Sequence, residues 1–428
     1  MRSIFLTIVA FLLVACASVV PPRPPLDAVA ERFVKLTLEI GEREEGYVDA
    51  YHGPPEWAAA AKANTRSVEA LGAEANALLA MVRAVPDAGL APLELKRRAY
   101  LEVHLQSAAF RLRMIGGERA PFADEAEALF GVRPPLAPLE SFEPAIARVD
   151  TLLPGEGPLH ARVAAFRKRY EIPADRLRPV MEAAIAECRR RTLAHISLPA
   201  SERFDLELVI GKPWGGYNWF KGGAHSLIQI NTDLPSTIDR ALDLGCHEGY
   251  PGHHVQNVLM EKLYTERGWV EFSIWPLFAP VGFIAEGSAN AGIALAFPGD
   301  EKRQFEQRVL YPLAGLDPAA APALEAVTTA LAALRGAEYT IADAYLAGRI
   351  DRAGAIAQLQ RYQLSSPERA AKRVDFIDAY RSYVINYGLG QDMVAARLAR
   401  AGAGQDAQWA AMVAILSEPT LPRDLEAR

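Results

Sequence analysis

The chain is 428 residues long, 50% hydrophobic and 23% charged, too apolar for a disordered polymer and long enough to bury a large core. Its 46 Lys and Arg against 52 Asp and Glu leave a net charge of −6, and no basic run exceeds Arg189-Arg190-Arg191, which excludes a nucleic-acid footprint built on clustered cations. The length allows two or three domains, but helical chains of this size form single bodies as well, and one two-lobed body is expected here.

The chain opens with Met1-Arg2-Ser3, an apolar run over 4–14 and then Ala15-Cys16. This is a short positive region, an apolar region and small residues at a cleavage point, as in a secretory signal over 1–15. It is too short to remain in a bilayer as a spanning helix. Leu13-Val14-Ala15-Cys16 resembles the bacterial lipobox, which implies that Cys16 is lipid-modified and becomes the new N-terminus. Residues 16–26, with Pro21, Pro22, Pro24 and Pro25, then read as a stiff tether, and the folded domain is expected over 27–428. Ala17 after the cysteine is similar to outer-membrane sorting signals, so the expected location is the cell envelope, on the outer membrane facing the periplasm.

Apolar residues at three- and four-residue spacing predict helices over 28–44, 55–85, 93–114, 174–195, 238–264, 281–297 and 323–362. Breaks fall at Gly53-Pro54-Pro55, Gly116-Gly117, Pro134-Pro135, 154–158 and Gly299-Asp300, and the cluster at 154–158 is the candidate lobe boundary. The segment 47–57, with His52, reads as a packed aromatic loop. From 204 to 233 the apolar residues alternate around glycine pairs at 215–216 and 222–223, which predicts a small antiparallel sheet of two or three strands. His225 within it is expected to be a surface loop residue. The fold class is therefore mainly α, with this sheet just ahead of the most chemically suggestive helix. Cys188 and Cys246 have no spacing that demands a disulfide, and Cys246 is expected to be a small buried core residue.

Three of the eight histidines fall in LGCHEGYPGHHVQ: His247, His253 and His254, with Glu248 beside the first. Imidazoles with an adjacent carboxylate are the usual parts of a metallohydrolase, and burying them among Leu242, Leu244, Val255 and Val258 without partners would be costly. On a straight helix His253 lies about 240° round from His247, and His254 sits about 10.5 Å further along the axis. Neither pair can meet on one ion, so the helix must deform. Pro251 lacks the N–H for the His247 carbonyl and Gly252 permits unusual dihedrals, which predicts a bulge or break at 250–252 and leaves His253 and His254 both open as the second ligand. Glu286, the single acid in an otherwise apolar and small-residue helix, is the candidate third ligand.

With HEGYPGHH, the Glu286-Gly287 pair and the C-terminal YRSYVINYGLG on the page, the chain resembles the bacterial domain-of-unknown-function family 885, itself similar to thermolysin-like zinc peptidases. The resemblance runs from about residue 30 onward. It implies a helical fold with a long groove, one zinc held by His247, His253 and Glu286, Glu248 as catalytic base, and a sheet edge to which an extended peptide can add. His254 then remains an alternative ligand or a support for the ligands. Ser288-Ala289-Asn290 stand where a large aromatic is common, which implies extra space near the metal. Tyr380, Tyr383 and Tyr387 fall on one helical face. Tyr387 or Tyr383 is the candidate oxyanion donor, and Arg381 the candidate partner for a substrate carboxylate or a nearby acidic side chain. The expected activity is zinc-dependent hydrolysis of short peptides, without a nucleic-acid partner. The alternatives are a metal-dependent amide or ester hydrolase on a non-peptide substrate, and a non-catalytic binding lipoprotein with a structural metal.

Overall fold

The computed structural model describes residues 25–212 and 214–426. The expected signal segment, Cys16 and most of the tether lie outside the described residues. Pro25 is not tether but the first residue of helix α1 (Pro25–Arg43), a position where its missing N–H costs nothing. Leu26, Val29, Ala30, Phe33, Thr37 and Ile40 form the buried stripe of α1, the periodicity of an amphipathic helix.

The chain is mainly helical with two small sheets. Strand β1 (Val48–Tyr51) replaces the loop expected at 47–57. The helix expected over 55–85 is two, Pro55–Ala63 and Val68–Arg83, because the Ser67 side chain accepts the Ala70 N–H and caps the second. Helix α2 (Pro92–Ile115) follows. The 154–158 cluster is the loop between helices Glu143–Leu152 and Leu159–Lys168. Helix α3 (Ala174–Leu193) leads into β2 (Arg203–Val209), β3 (Gly216–Gly222) and β4 (His225–Asn231).

These strands stand in the order β2-β4-β3, with β3 antiparallel and β2 parallel to β4, so the sheet is mixed rather than antiparallel throughout. The β3–β4 hairpin is local, turned by Gly222 and Gly223 at φ 79° and 63°. Strand β2 lies on the other side of β4 from β3 and runs parallel to β4. His225 opens β4 instead of occupying a loop, with its Nε2 2.8 Å from Asp205 Oδ2. Buried Ser226, Ile228 and Ile230 point from β4 toward the interior.

The helix expected over 238–264 is broken into α4 (Ile238–Glu248) and α5 (His253–Arg267). Next come β5 (Ile274–Pro276), which pairs antiparallel with β1, and α6 (Pro280–Ala296). The stretch 323–362 divides into Ala321–Ala332, Ala337–Leu346 and Arg352–Tyr362. Two further helices, α7 (Pro367–Tyr380) and α8 (Ile385–Arg400), complete the surroundings of the site. No helix among the described residues is long and apolar enough to cross a membrane.

Three close approaches place the site. A Cβ on Gly287 of α6 would lie 2.6 Å from the backbone of Gly390 on α8, so these two helices cross with their main chains in contact. A Cβ on Gly292 would lie 2.6 Å from the Pro251 ring, which seats α6 against the α4–α5 break. Finally Gly245 packs on Ile185, and beside it Cys188 and Cys246 form a disulfide across α3 and α4 with Cα atoms 5.4 Å apart. This corrects the expectation of an unpaired core cysteine. The pairing depends on how closely two helices pack, which cysteine spacing does not reveal.

Candidate metal centre

Helix α4 ends at Glu248, and residues 249–252 carry the chain round before α5 begins at His253. Gly252 is indispensable to this break: a Cβ there would stand 1.8 Å from the His247 carbonyl oxygen. Its N–H is donated to the Cys246 carbonyl at 3.1 Å, so the chain folds back on the last turn of α4 and brings His253 to His247. Their rings lie edge to face with centroids 4.6 Å apart.

Glu286 on α6 reaches the same point. Its Oε2 is 3.2 Å from His247 Nε2, and its Oε1 is 3.9 Å from His253 Nε2. Donor atoms of His247, His253 and Glu286 all lie within 4.8 Å of one another. Glu286 Oε2 is buried with no well-aligned hydrogen-bond donor, its contact being the 3.2 Å approach of His247 Nε2, an arrangement that suits a cation between the two. The chemistry of the set fits zinc, which takes imidazole nitrogens and carboxylate oxygens and keeps a fourth position open in hydrolytic sites.

Two neighbours hold these donors in place. Asn290, one turn beyond Glu286, gives its amide N–H groups to the Glu286 carbonyl at 3.0 Å and the Tyr387 carbonyl at 3.4 Å. Its Oδ1 must therefore face His247 Nδ1, 3.1 Å away. That fixes the proton on Nδ1 and leaves Nε2 free as a ligand. The Tyr383 hydroxyl donates to Glu286 Oε1 at 2.9 Å. Asn290 thus occupies part of the space that the missing aromatic was expected to leave open.

His254 is turned the other way. Wholly buried, it meets Ser226 Oγ at 2.7 Å through Nδ1 and Glu202 Oε1 at 3.0 Å through Nε2. Tyr250 and Arg189 share that carboxylate, so His254 buttresses the break against the sheet and does not join the donor set.

Glu248 is buried at the end of α4 with its carboxylate against β3, where a Cβ on Gly216 would lie 2.8 Å from Oε1. Burial, reinforced by the Glu286 charge, outweighs the pull of His247 and pushes Glu248 up to about 7. For His247, burial pushes down but the adjacent Glu286 wins and holds it up at about 9. His253, buried beside that cation, is held down at about 4. Glu286 is depressed despite its burial because of His247. A metal binding these donors would compete with the proton shared by the His247–Glu286 pair.

The centre opens on a cleft of about 550 Å³ whose walls include Gly216 to Trp219 of β3, Trp275 and Pro276 of β5, and Tyr380, Tyr383 and Tyr387. The three tyrosines share the cleft although their helix is interrupted at Arg381, which has φ 50°. Arg381 does not line the cleft. Its Nε donates to buried Glu125 at 2.7 Å, and Ser382 adds two hydrogen bonds to the same carboxylate. Its partner is thus an acidic side chain, the second of the two alternatives expected of it. Tyr387 has no hydroxyl partner among the described residues. Burial and the Glu286 charge hold its proton far above the ordinary phenol range.

Several cleft residues were not singled out from sequence. Asp49 of β1 bonds the Tyr217 hydroxyl and is pushed up to about 6 by burial. Arg373 is paired with Glu338, and Arg240 lines the cleft without an ion-pair partner among the described residues. Asn290, named from sequence only for the space left by a missing aromatic, also carried a local signal as a polar residue one turn from Glu286 in an apolar helix. His52 is not part of the cleft wall; it is packed edge-on against Phe220 with neither ring nitrogen hydrogen-bonded.

No protein-family model and no curated protein sequence matches the chain. Among solved structures it is similar to a Colwellia psychrerythraea protein classed as a lipoprotein, at 15% identity and a TM-score of 0.52, over 82% of this chain and 65% of that one. The chain thus spans just under two thirds of that protein's length, and the likeness is one of fold. A match to the M32 carboxypeptidase from Deinococcus radiodurans R1 has 12% identity and a TM-score of 0.35, over 92% of this chain and 89% of that one.

Proposed function

We propose that the chain is a zinc-dependent hydrolase that cleaves peptide bonds in short peptides. The observation that carries this reading is the convergence of His247, His253 and Glu286 within 4.8 Å, with Glu248 on the wall of the same cleft. Zinc held by these three side chains would lower the pKa of a water toward about 7 and polarise a carbonyl.

The remaining chemistry belongs to the chain's own groups. Glu248, held above the usual carboxylate range by burial, is the base nearest the three donors. It takes the proton of the attacking water and hands it to the leaving amine. Tyr387 keeps its proton and donates to the developing oxyanion, whereas Tyr383 is committed to Glu286 and acts by positioning it. Strand β3 is a sheet edge. Gly215 accepts the Asn231 N–H, and by the alternation of an antiparallel ladder Tyr217 and Trp219 also face β4, while Gly216 and Asn218 turn their main-chain groups outward. An extended peptide can add there and present its carbonyl beside Glu248. A cleft of about 550 Å³ suits a short peptide.

The test is hydrolysis of a mixed peptide library by the zinc-loaded protein. Glu248→Gln should lower kcat/KM by about 10²–10⁴ with zinc content unchanged. Undiminished turnover, or loss of zinc together with turnover, contradicts the assignment.

The reading extends to a lipid-anchored protein of the outer membrane facing the periplasm. It is supported by Leu13-Val14-Ala15-Cys16 and by the Cys188–Cys246 disulfide, a bond that persists in oxidising compartments. Cys16→Ser should shift the protein from the membrane fraction to the soluble one, and an unchanged distribution contradicts the anchor.

A further inference from the structure

The metal cleft does not end at the metal. Past Trp214, Gly215 and Leu244, which line both spaces, it continues into a second groove of about 900 Å³. Six cations line this groove, Arg167, Lys168, Lys212, Arg240, Arg369 and Lys372, against three acids, Glu171, Asp233 and Glu368. That balance is the reverse of the chain's net −6. Two of the acids are already engaged, Asp233 by the Gly211 N–H at 2.9 Å and Glu368 by the start of α7. Of the cations only Arg167 has an ion-pair partner among the described residues, Asp239 at 3.1 Å. The others have no close ion-pair partner among the described residues, and their acidic neighbours act only at longer range: Asp233 on Lys372, Glu171 and Asp239 on Arg369, and Asp239 on Arg240. Arg167, Arg240 and Arg369 all line this one space, and burial with the charges of Arg167 and Arg240 holds Arg369 below its ordinary range against the opposite pull of Glu171 and Asp239.

Arg240 is the hinge of this arrangement. It lines the metal cleft, the cationic groove and a third cavity of about 510 Å³. It lies on α4 seven residues before His247, on the same helical face, with Leu244 between. It is exposed, and a guanidinium so placed offers a planar, two-pronged donor to a carboxylate.

We propose that this groove is the track for the acidic part of the substrate, so that the protein selects peptides with Glu or Asp close to the scissile bond, Arg240 being the principal selecting residue. The proposal rests on the hydrolase reading above. A peptide fits better than a nucleic acid, because the groove is continuous with the cleft that carries Gly216 and Asn218 of the β3 edge, and the chain as a whole is acidic, with a net charge of −6.

The test uses the full-length Glu248→Gln protein loaded with zinc, and fluorescent peptides in Glu and Gln pairs, with the acid on either side of the scissile position, followed by anisotropy. At 0.1 M salt, where the Debye length is about 10 Å, the better Glu peptide should bind about tenfold tighter than its Gln twin, and the preference should shrink at about 0.5 M. Adding Arg240→Gln should cut the preference to about twofold, and Lys372→Gln should reduce it less. Both side chains are exposed, and a thermal melt verifies the fold of each variant. Equal binding of Glu and Gln peptides, a preference untouched by both substitutions, or tighter binding of a single-stranded oligonucleotide would overturn the proposal. If the charge preference is found but the wild type hydrolyses no peptide, the groove stands and the hydrolase reading falls. Hydrolysis without charge preference gives the converse.

Discussion

Replacing Asn290 by leucine tests whether His247 is held as a ligand. The two side chains are similar in size, so the substitution keeps the packing of α6 and removes three polar contacts: 3.1 Å to His247 Nδ1, 3.0 Å to the Glu286 carbonyl and 3.4 Å to the Tyr387 carbonyl. The last is long and contributes little. The first leaves a buried imidazole N–H unpaired and frees the ring to put its proton on Nε2, the atom that faces Glu286. Loss of such an orienting partner weakens metal binding about 10–100-fold, or about 1.4–2.7 kcal/mol. Zinc affinity would be read by competition with a chromophoric chelator at pH 7.5, with a thermal melt as control. Asn290→Asp keeps the acceptor for His247 and should bind zinc more tightly than the leucine variant, although its carboxylate repels the two carbonyls. Zinc affinity of Asn290→Leu within about twofold of the parent, or an aspartate variant as weak as the leucine one, would refute the reasoning.

Two further predictions concern stability. The Cys188–Cys246 disulfide joins residues 58 apart, and closing such a loop removes chain entropy worth up to about 4 kcal/mol; the double alanine variant should lose about 2–4 kcal/mol in urea unfolding, and a loss under about 0.5 kcal/mol would contradict this. His104 is buried, with Nδ1 2.8 Å from the Tyr100 carbonyl and Nε2 unpartnered, and burial holds it down at about 3. The unfolded chain therefore binds more protons below about pH 6.5, so stability falls as pH drops from there toward 3, by about 2 kcal/mol at pH 5. His104→Phe should remove about one proton from the slope between pH 5 and 6, and a slope identical to the parent's would show that His104 does not titrate on unfolding.

Local chemistry was readable where it left a local trace. Pro251 and Gly252 announced a deformed helix between two histidines, and the Gly252–His247 contact is its realisation. What the straight-helix geometry could not choose, His253 over His254, is decided by packing: Ser226 and Glu202, on elements 28 and 52 residues away in sequence, take His254. The glycine-rich hairpin was visible because its turn is local, but the parallel seat of β2 beside β4 was not. Asp49 enters the cleft through the pairing of β1 with β5, more than 200 residues on, and no neighbouring residue marks it. The two cysteines likewise sit on separate helices whose approach is set by Gly245 and Ile185. For Arg381 the residues left two partners open, a substrate carboxylate or a nearby acidic side chain; in the structure, where the helix is interrupted by the positive φ at that position, it meets Glu125, 256 residues away in sequence.

The most direct test of the central claim is the zinc content, by elemental mass spectrometry, of the full-length protein purified without a histidine tag or chelator, alongside His247→Ala, His253→Ala and Glu286→Ala, with His225→Ala as the control. The parent and the control should carry close to one zinc per chain and each of the other three under about a tenth of that. A parent that neither carries nor takes up zinc, or variants of the three donors that keep it, would contradict the metal centre and the hydrolase built on it.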